Sequence, residues 1–138
     1  MRRQILIADD EEANRAVLGE LFERNGYGVT LAGDGREAVE YAEHHPVSLG
    51  IFDYQMPRMS GLEALRTLRA HKHSMPVLIM TSQRSPQLED EALSWGANGF
   101  FYKPLDLGYL RQIVINLVGE ETGLSVFTFT TTLTIRQS

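Results

Sequence analysis

The sequence predicts a doubly wound α/β domain, and three observations carry that reading. Five short, nearly continuous apolar runs recur along the chain, a stretch of helical periodicity follows each one, and turn residues punctuate the junctions. Runs this short and this apolar, without strict alternation, suit strands buried on both faces, the mark of a parallel sheet. Strands that alternate with helices through right-handed crossovers place helices on both faces of that sheet.

The first run is Gln4 to Ala8. Behind it Ala13, Val17 and Leu21, with Leu18 and Phe22, recur three or four residues apart on one helical face. Asn25-Gly26 closes this helix, and Val29 to Ala32 is the second run. Asp34-Gly35 turns the chain into a helix carrying Ala38, Val39 and Ala42, after which Pro46 precedes the third run, Leu49 to Phe52. Leu62, Leu65 and Leu68 make the third helical stripe. Pro76 leads into Val77 to Met80, Leu88 and Ala92 form the fourth stripe, and Gly96 ends it. Phe100-Phe101-Tyr102 is the last run, before Leu107, Leu110, Val114 and Leu117. Gly50, inside the third run, departs from the bulky residue expected there.

Composition bounds what such a domain does. With 138 residues and 43% hydrophobic content, the chain builds one core and no second module beside it. A formal charge of −5 repels nucleic-acid backbone, so direct DNA or RNA binding is not expected. The absence of cysteine removes disulfides, thiolate metal sites and a cysteine nucleophile. The chain starts Met1-Arg2-Arg3-Gln4 and carries no long apolar segment, which reads as a cytoplasmic protein without membrane contact.

Residues 1–118 account for this pattern, and residues 119–138 differ in kind. Phe127, Phe129, Leu133 and Ile135 alternate with Thr128, Thr130, Thr132 and Thr134, a strand by composition and period. Left free, such a strand is an aggregation-prone edge, so the expectation is that it joins the sheet beside the fifth strand or forms a dimer contact.

In open parallel sheets ligands bind beyond the carboxyl ends of the strands. Here those ends are Asp9-Asp10-Glu11-Glu12, Asp53, Thr81-Ser82 and Lys103-Pro104. Crowded carboxylates either take up protons or recruit a cation, and an all-oxygen set suits a hard divalent ion such as Mg²⁺ or Mn²⁺. Such an ion and Lys103 together neutralise Asp9, Asp10 and Asp53, leaving a site prepared for a phosphoryl group. Singly, each feature has a plain structural reading: acidic residues favour a helix start, Asp53 or Thr81 caps a loop or helix, and Lys103 is a solvated charge. All four strand ends together do not.

Taken in order, these motifs resemble the receiver domains of two-component response regulators. The match runs from Gln4 to Leu117 and rests on Asp9-Asp10, the segment Asp53-Tyr54-Gln55-Met56-Pro57-Arg58-Met59-Ser60-Gly61, Thr81-Ser82 and Lys103-Pro104. The resemblance implies a flavodoxin-like three-layer sandwich with five parallel strands in the order 2-1-3-4-5. It implies that Asp53 accepts a phosphoryl group from a phosphohistidine on a histidine kinase or phosphotransfer protein. Asp10 and Asp53 would hold the metal through carboxylates, Asp9 through water and Gln55 through its backbone carbonyl, while Thr81 and Lys103 steady the phosphoryl oxygens. Thr81 and Phe100, by position the switch aromatic, would report the change to a downstream protein docking on helix four, strand five and helix five. Gln55 and Gln83 flank the approach of hydrolytic water. The chain would be a stand-alone switch and not a turnover enzyme; the alternatives are a receiver cut from a regulator with an output domain, and a phosphorylation-independent interaction module.

Two other readings are weighed. The acidic loop after the first strand would repel the phosphate of a flavin, and a dehalogenase-type phosphatase lacks its Asp-x-Asp and cap here. Trp95 is expected to pack on helix four, and His44-His45 with His71-Lys72-His73 to suit helix ends by their charge.

Overall fold

The computed structural model describes residues 2–121 and the short segment Ile135–Arg136. In chain order the elements are β1 (Gln4–Ala8), α1 (Glu12–Arg24), β2 (Gly28–Ala32), α2 (Gly35–His44), β3 (Leu49–Asp53), α3 (Gly61–Ala70), β4 (Val77–Thr81), α4 (Pro86–Ser94), β5 (Gly99–Tyr102), α5 (Leu107–Val118) and β6 (Ile135–Arg136). The strands lie in the order β2-β1-β3-β4-β5-β6, every neighbouring pair parallel. The five-strand order 2-1-3-4-5 is therefore the one expected. β6 sets Ile135 opposite Gly99 at the outer edge of β5. The remainder of the alternating tail, and with it the dimer contact, lies outside the described residues.

Helix starts follow the local sequence. Asp34, Ser60, Ser85 and Asp106 each accept a backbone N–H of the first turn, Ser60 with Glu63 in a reciprocal capping box and Ser85 followed by Pro86. The strands then divide their side chains between two cores. Leu6, Ala8, Phe52, Ile79, Phe100 and Tyr102 meet α2, α3 and α4, whereas Ile5, Ile7, Ile51, Leu78, Met80 and Phe101 meet α1 and α5. Among the described residues no helix is long and apolar enough to cross a membrane.

Several expectations change. β2, at the edge that the order 2-1-3-4-5 assigns it, is buried only at its ends, so its apolar run is not covered throughout as expected: Leu31 is 42% exposed. Val17 is 51% exposed; the buried stripe of α1 runs through Leu18 and Phe22. Trp95 does not pack into α4's core face: it follows that helix at its C-cap, 40% exposed, with the Arg66 guanidinium 5.2 Å from its ring. Gly50 acquires a reason, since a Cβ there would stand 2.8 Å from the ring of Phe52, which is buried and has nowhere to retreat.

Candidate functional site

The register of the sheet brings the predicted residues to one rim. Ala8 lies opposite Phe52, Asp53 opposite Met80 and Thr81 opposite Tyr102, so Asp9, Asp53, Thr81 and Lys103 end or follow adjacent strands at the same level. One ligand oxygen from each of Asp9, Asp10 and Asp53 lies within 4.8 Å of the others. Asp9 is fully buried and Asp10 exposed. Asp53 is only 5% exposed, too little for an ordinary solvated carboxylate.

Lys103 bridges the buried pair, its Nζ 3.0 Å from Asp9 Oδ2 and 3.3 Å from Asp53 Oδ2. The other Asp9 oxygen accepts the Glu11 backbone N–H at 2.9 Å. Burial first, and then the charge of Asp9, push the Asp53 carboxyl from 3.8 up to about 6, against the pull of Lys103 and with a further push from Asp10. Burial works against the Lys103 ammonium, but the hydrogen bond to Asp9 and the charges of Asp53 and Asp9 outweigh it and hold its pKa above the usual lysine value. One ammonium thus faces two buried carboxylates, and the rim carries an excess of negative charge that a cation or a proton would relieve.

Gly61 sets the far wall. A Cβ at this position would fall 2.3 Å from the Asp53 carbonyl oxygen, and the Gly61 N–H donates to the Tyr54 carbonyl at 3.0 Å. The loop between β3 and α3 can therefore close on Asp53 only with glycine there. Gln55 is exposed on this loop and, with Asp10, Tyr54 and Met56, lines a groove of about 510 Å³. Across the rim Thr81 is fully buried, and its Oγ1 accepts the Gln83 N–H at 3.0 Å, which leaves the hydroxyl proton free to donate. Phe100 is also fully buried, three residues before Lys103, and faces the α4 side of the sheet, not the rim.

Sequence reasoning missed a second constellation beside the first. The Tyr102 hydroxyl donates to Glu89 Oε1 at 3.1 Å, both residues being 8% exposed, and the Arg84 guanidinium stands 4.6 Å from the Tyr102 ring centroid. Burial, then the Glu89 hydrogen bond, hold the phenol above its usual pKa. A tyrosine inside an apolar run and a glutamate in the first turn of a helix gave no separate signal.

The comparisons with known proteins follow the same lines. The family model for the response regulator receiver domain matches residues 5–115. The regulatory protein AtoC of Escherichia coli is 38% identical over 112 residues, which span 80% of this chain and 24% of AtoC. The chain spans 17% to 53% of the length of the curated relatives compared, so in each of them the similar segment is part of a longer protein. The receiver domain of Francisella response regulator 1452 superposes with a TM-score of 0.78 at 28% identity, covering 83% of this chain and 95% of that one. A Borrelia burgdorferi CheY, solved in complex with CheX, BeF3 and Mg²⁺, superposes with a TM-score of 0.76 at 30% identity, covering 82% and 87%.

Proposed function

The chain belongs to the response regulator receiver family of two-component signal transduction, and we propose that Asp53 is its phosphoacceptor, with Thr81 and Lys103 steadying the phosphoryl group. The observation that carries this reading is the buried Asp53 carboxylate, crowded by Asp9 and Asp10 and held by a single ammonium. A carboxylate so placed is a poor structural element and a good nucleophile.

The donor set fits a divalent cation: three carboxylates, all oxygen, converge within one coordination sphere and leave a net negative charge. Asp9, Asp10, Asp53 and the Gln55 backbone carbonyl would hold Mg²⁺, or Mn²⁺ in its place. Bound there, the ion supplies positive charge to a phosphoryl oxygen. The protein's own part is positional. Asp53 attacks phosphorus in line; the new P–O bond forms as the P–N bond of a phosphohistidine breaks, and the departing imidazole keeps its electron pair and takes a proton. Lys103 and the Thr81 hydroxyl face the remaining equatorial oxygens, where charge spreads in the transition state.

The product is an acyl phosphate carrying more charge than the carboxylate it replaces. Lys103 and Thr81 therefore interact with the two states differently, and that difference is what biases a surface between two conformations. The chain serves as a switch consumed and reset, not as an enzyme turning over substrate. Its phosphoryl source is a histidine kinase or phosphotransfer protein, and its read-out partner docks on α4, β5 and α5. The Borrelia CheY is held in a complex with another protein, CheX, which supports a protein as that partner.

Acetyl phosphate with Mg²⁺ is expected to add one phosphoryl group, seen by intact-protein mass spectrometry and absent from Asp53→Asn. The same modification in Asp53→Asn, or continuous hydrolysis of a phosphate ester, would overturn the reading.

A further inference from the structure

We propose that Arg15 is a positioning residue of the cation site, fixing the turn between β1 and α1 from which the Asp10 carboxylate reaches Asp9 and Asp53. This inference rests on the acidic rim holding a divalent cation. Asp9 has every polar group engaged. Its N–H donates to the Ala32 carbonyl at 3.1 Å, its carboxylate accepts Lys103 Nζ at 3.0 Å and the Glu11 N–H at 2.9 Å, and its carbonyl accepts Arg15 Nη1 at 2.7 Å. Asp10 is the opposite case. It is exposed, and among the described residues no hydrogen bond or ion pair restrains its side chain.

Where Asp10 stands is therefore set by its main chain. The Asp9 carbonyl and the Asp10 nitrogen and Cα share one planar peptide unit. A donor that holds the carbonyl oxygen orients that plane, and with it the stem from which the Asp10 side chain springs. The start of α1 needs such a restraint. Asp34, Ser60, Ser85 and Asp106 cap the other described helices, whereas Glu11, the N-cap of α1, makes no side-chain cap hydrogen bond. Arg15, half-buried in the first turn of α1, reaches back over that uncapped end to Asp9.

Charge and position make opposite demands on metal affinity. As a charge alone, a guanidinium on the acidic loop repels a second cation, and its removal would tighten binding. As a positioning group, its removal frees Asp10 to leave the coordination sphere, and binding weakens as it does when an outer-shell partner is lost. The sign of one substitution separates the two.

The experiment titrates Mn²⁺ into the full chain, with electron paramagnetic resonance counting the free ion, and follows urea unfolding of the metal-free protein beside it. Arg15→Met keeps the aliphatic stem and removes charge and donors. Its Mn²⁺ dissociation constant should rise about tenfold, the low end for an outer-shell partner because the lost charge offsets part of the effect. Arg15→Lys, which keeps the charge but offers one ammonium in place of the fork, should raise it about two- to threefold. In an Asp10→Asn background Arg15→Met should add less than about twofold, because its route to the metal is already cut. A purely structural role would instead lower metal-free stability and weaken binding equally in both backgrounds.

That equal weakening, or tighter or unchanged Mn²⁺ binding in both Arg15 variants, overturns the inference and leaves the cation site in place. Absence of Mn²⁺ binding by the unsubstituted chain overturns the cation site, and the inference with it.

Discussion

At the end of the sheet where β1, β3 and β4 finish, Asp9, Asp53 and Lys103 are drawn out of water with more negative charge than positive. At the opposite end, Glu43 in the last turn of α2 meets His71 Nδ1 at 2.5 Å and His73 Nε2 at 3.0 Å in a half-exposed setting. There the hydrogen bonds from His71 and then His73 hold the Glu43 carboxyl below its usual pKa. Both ends place a carboxylate between two partners. In one the ionised form is penalised, in the other it is favoured, and the difference lies in burial and in the sign of the neighbours. A balanced, wet cluster closes a seam between elements; an unbalanced, dry one is completed only by something from outside.

Removing a charge should therefore have large effects at one end and small effects at the other. Lys103→Ala leaves Asp9 and Asp53 facing each other without an ammonium, and is expected to lower metal-free stability by about 3 kcal/mol or more at neutral pH. Mg²⁺ should restore part of that loss. Urea unfolding with and without Mg²⁺ measures both, and a loss below about 1 kcal/mol would mean the rim is less strained than its burial implies.

Asp53→Asn acts in the opposite direction. A carboxyl raised from 3.8 to about 6 binds its proton more readily folded than unfolded, so the metal-free protein should lose stability as pH rises from about 4 to about 6 and level off above. At neutral pH that penalty is about 2 to 3 kcal/mol, and Asn removes it. Mg²⁺ at a hundred times its dissociation constant should add about 2.7 kcal/mol to the unsubstituted chain and much less to Asp53→Asn. A metal-free stability that does not fall across this pH window counts against the strain.

The smallest effects belong to the histidine end. His73→Ala should cost little, as the loss of a half-exposed side-chain hydrogen bond does. Combined with Asp53→Asn it should be additive within about 0.5 kcal/mol, because a strand of five residues separates the two clusters. A larger coupling energy would make the two ends one network.

Much of this was legible before any coordinates. The five apolar runs located every strand of the main sheet, and the rule that parallel sheets present ligands beyond their carboxyl ends gathered Asp9, Asp10, Asp53, Thr81 and Lys103 without three-dimensional information. What escaped is what depends on packing between elements distant in sequence. Val29 and Leu31 did not disclose how far β2 is exposed, since an apolar side chain at an edge looks the same in sequence as one at the centre. Gly50 is explained only by the ring of Phe52, and Tyr102 with Glu89 and Arg84 only by the approach of α4 to β5. The rule about strand ends finds residues that face a ligand; it is blind to contacts made between elements behind that rim.

The strand order has a consequence for the protein as it is being made. β1 pairs with β2 on one side and β3 on the other, so the first three strands can pair with one another before anything beyond Asp53 is made. Asp9, Asp10 and Asp53 are all synthesised before Thr81 and Lys103. In that interval the growing chain holds its three rim acids and lacks the lysine that offsets part of their charge, and only dissolved cations are at hand to stand in for it.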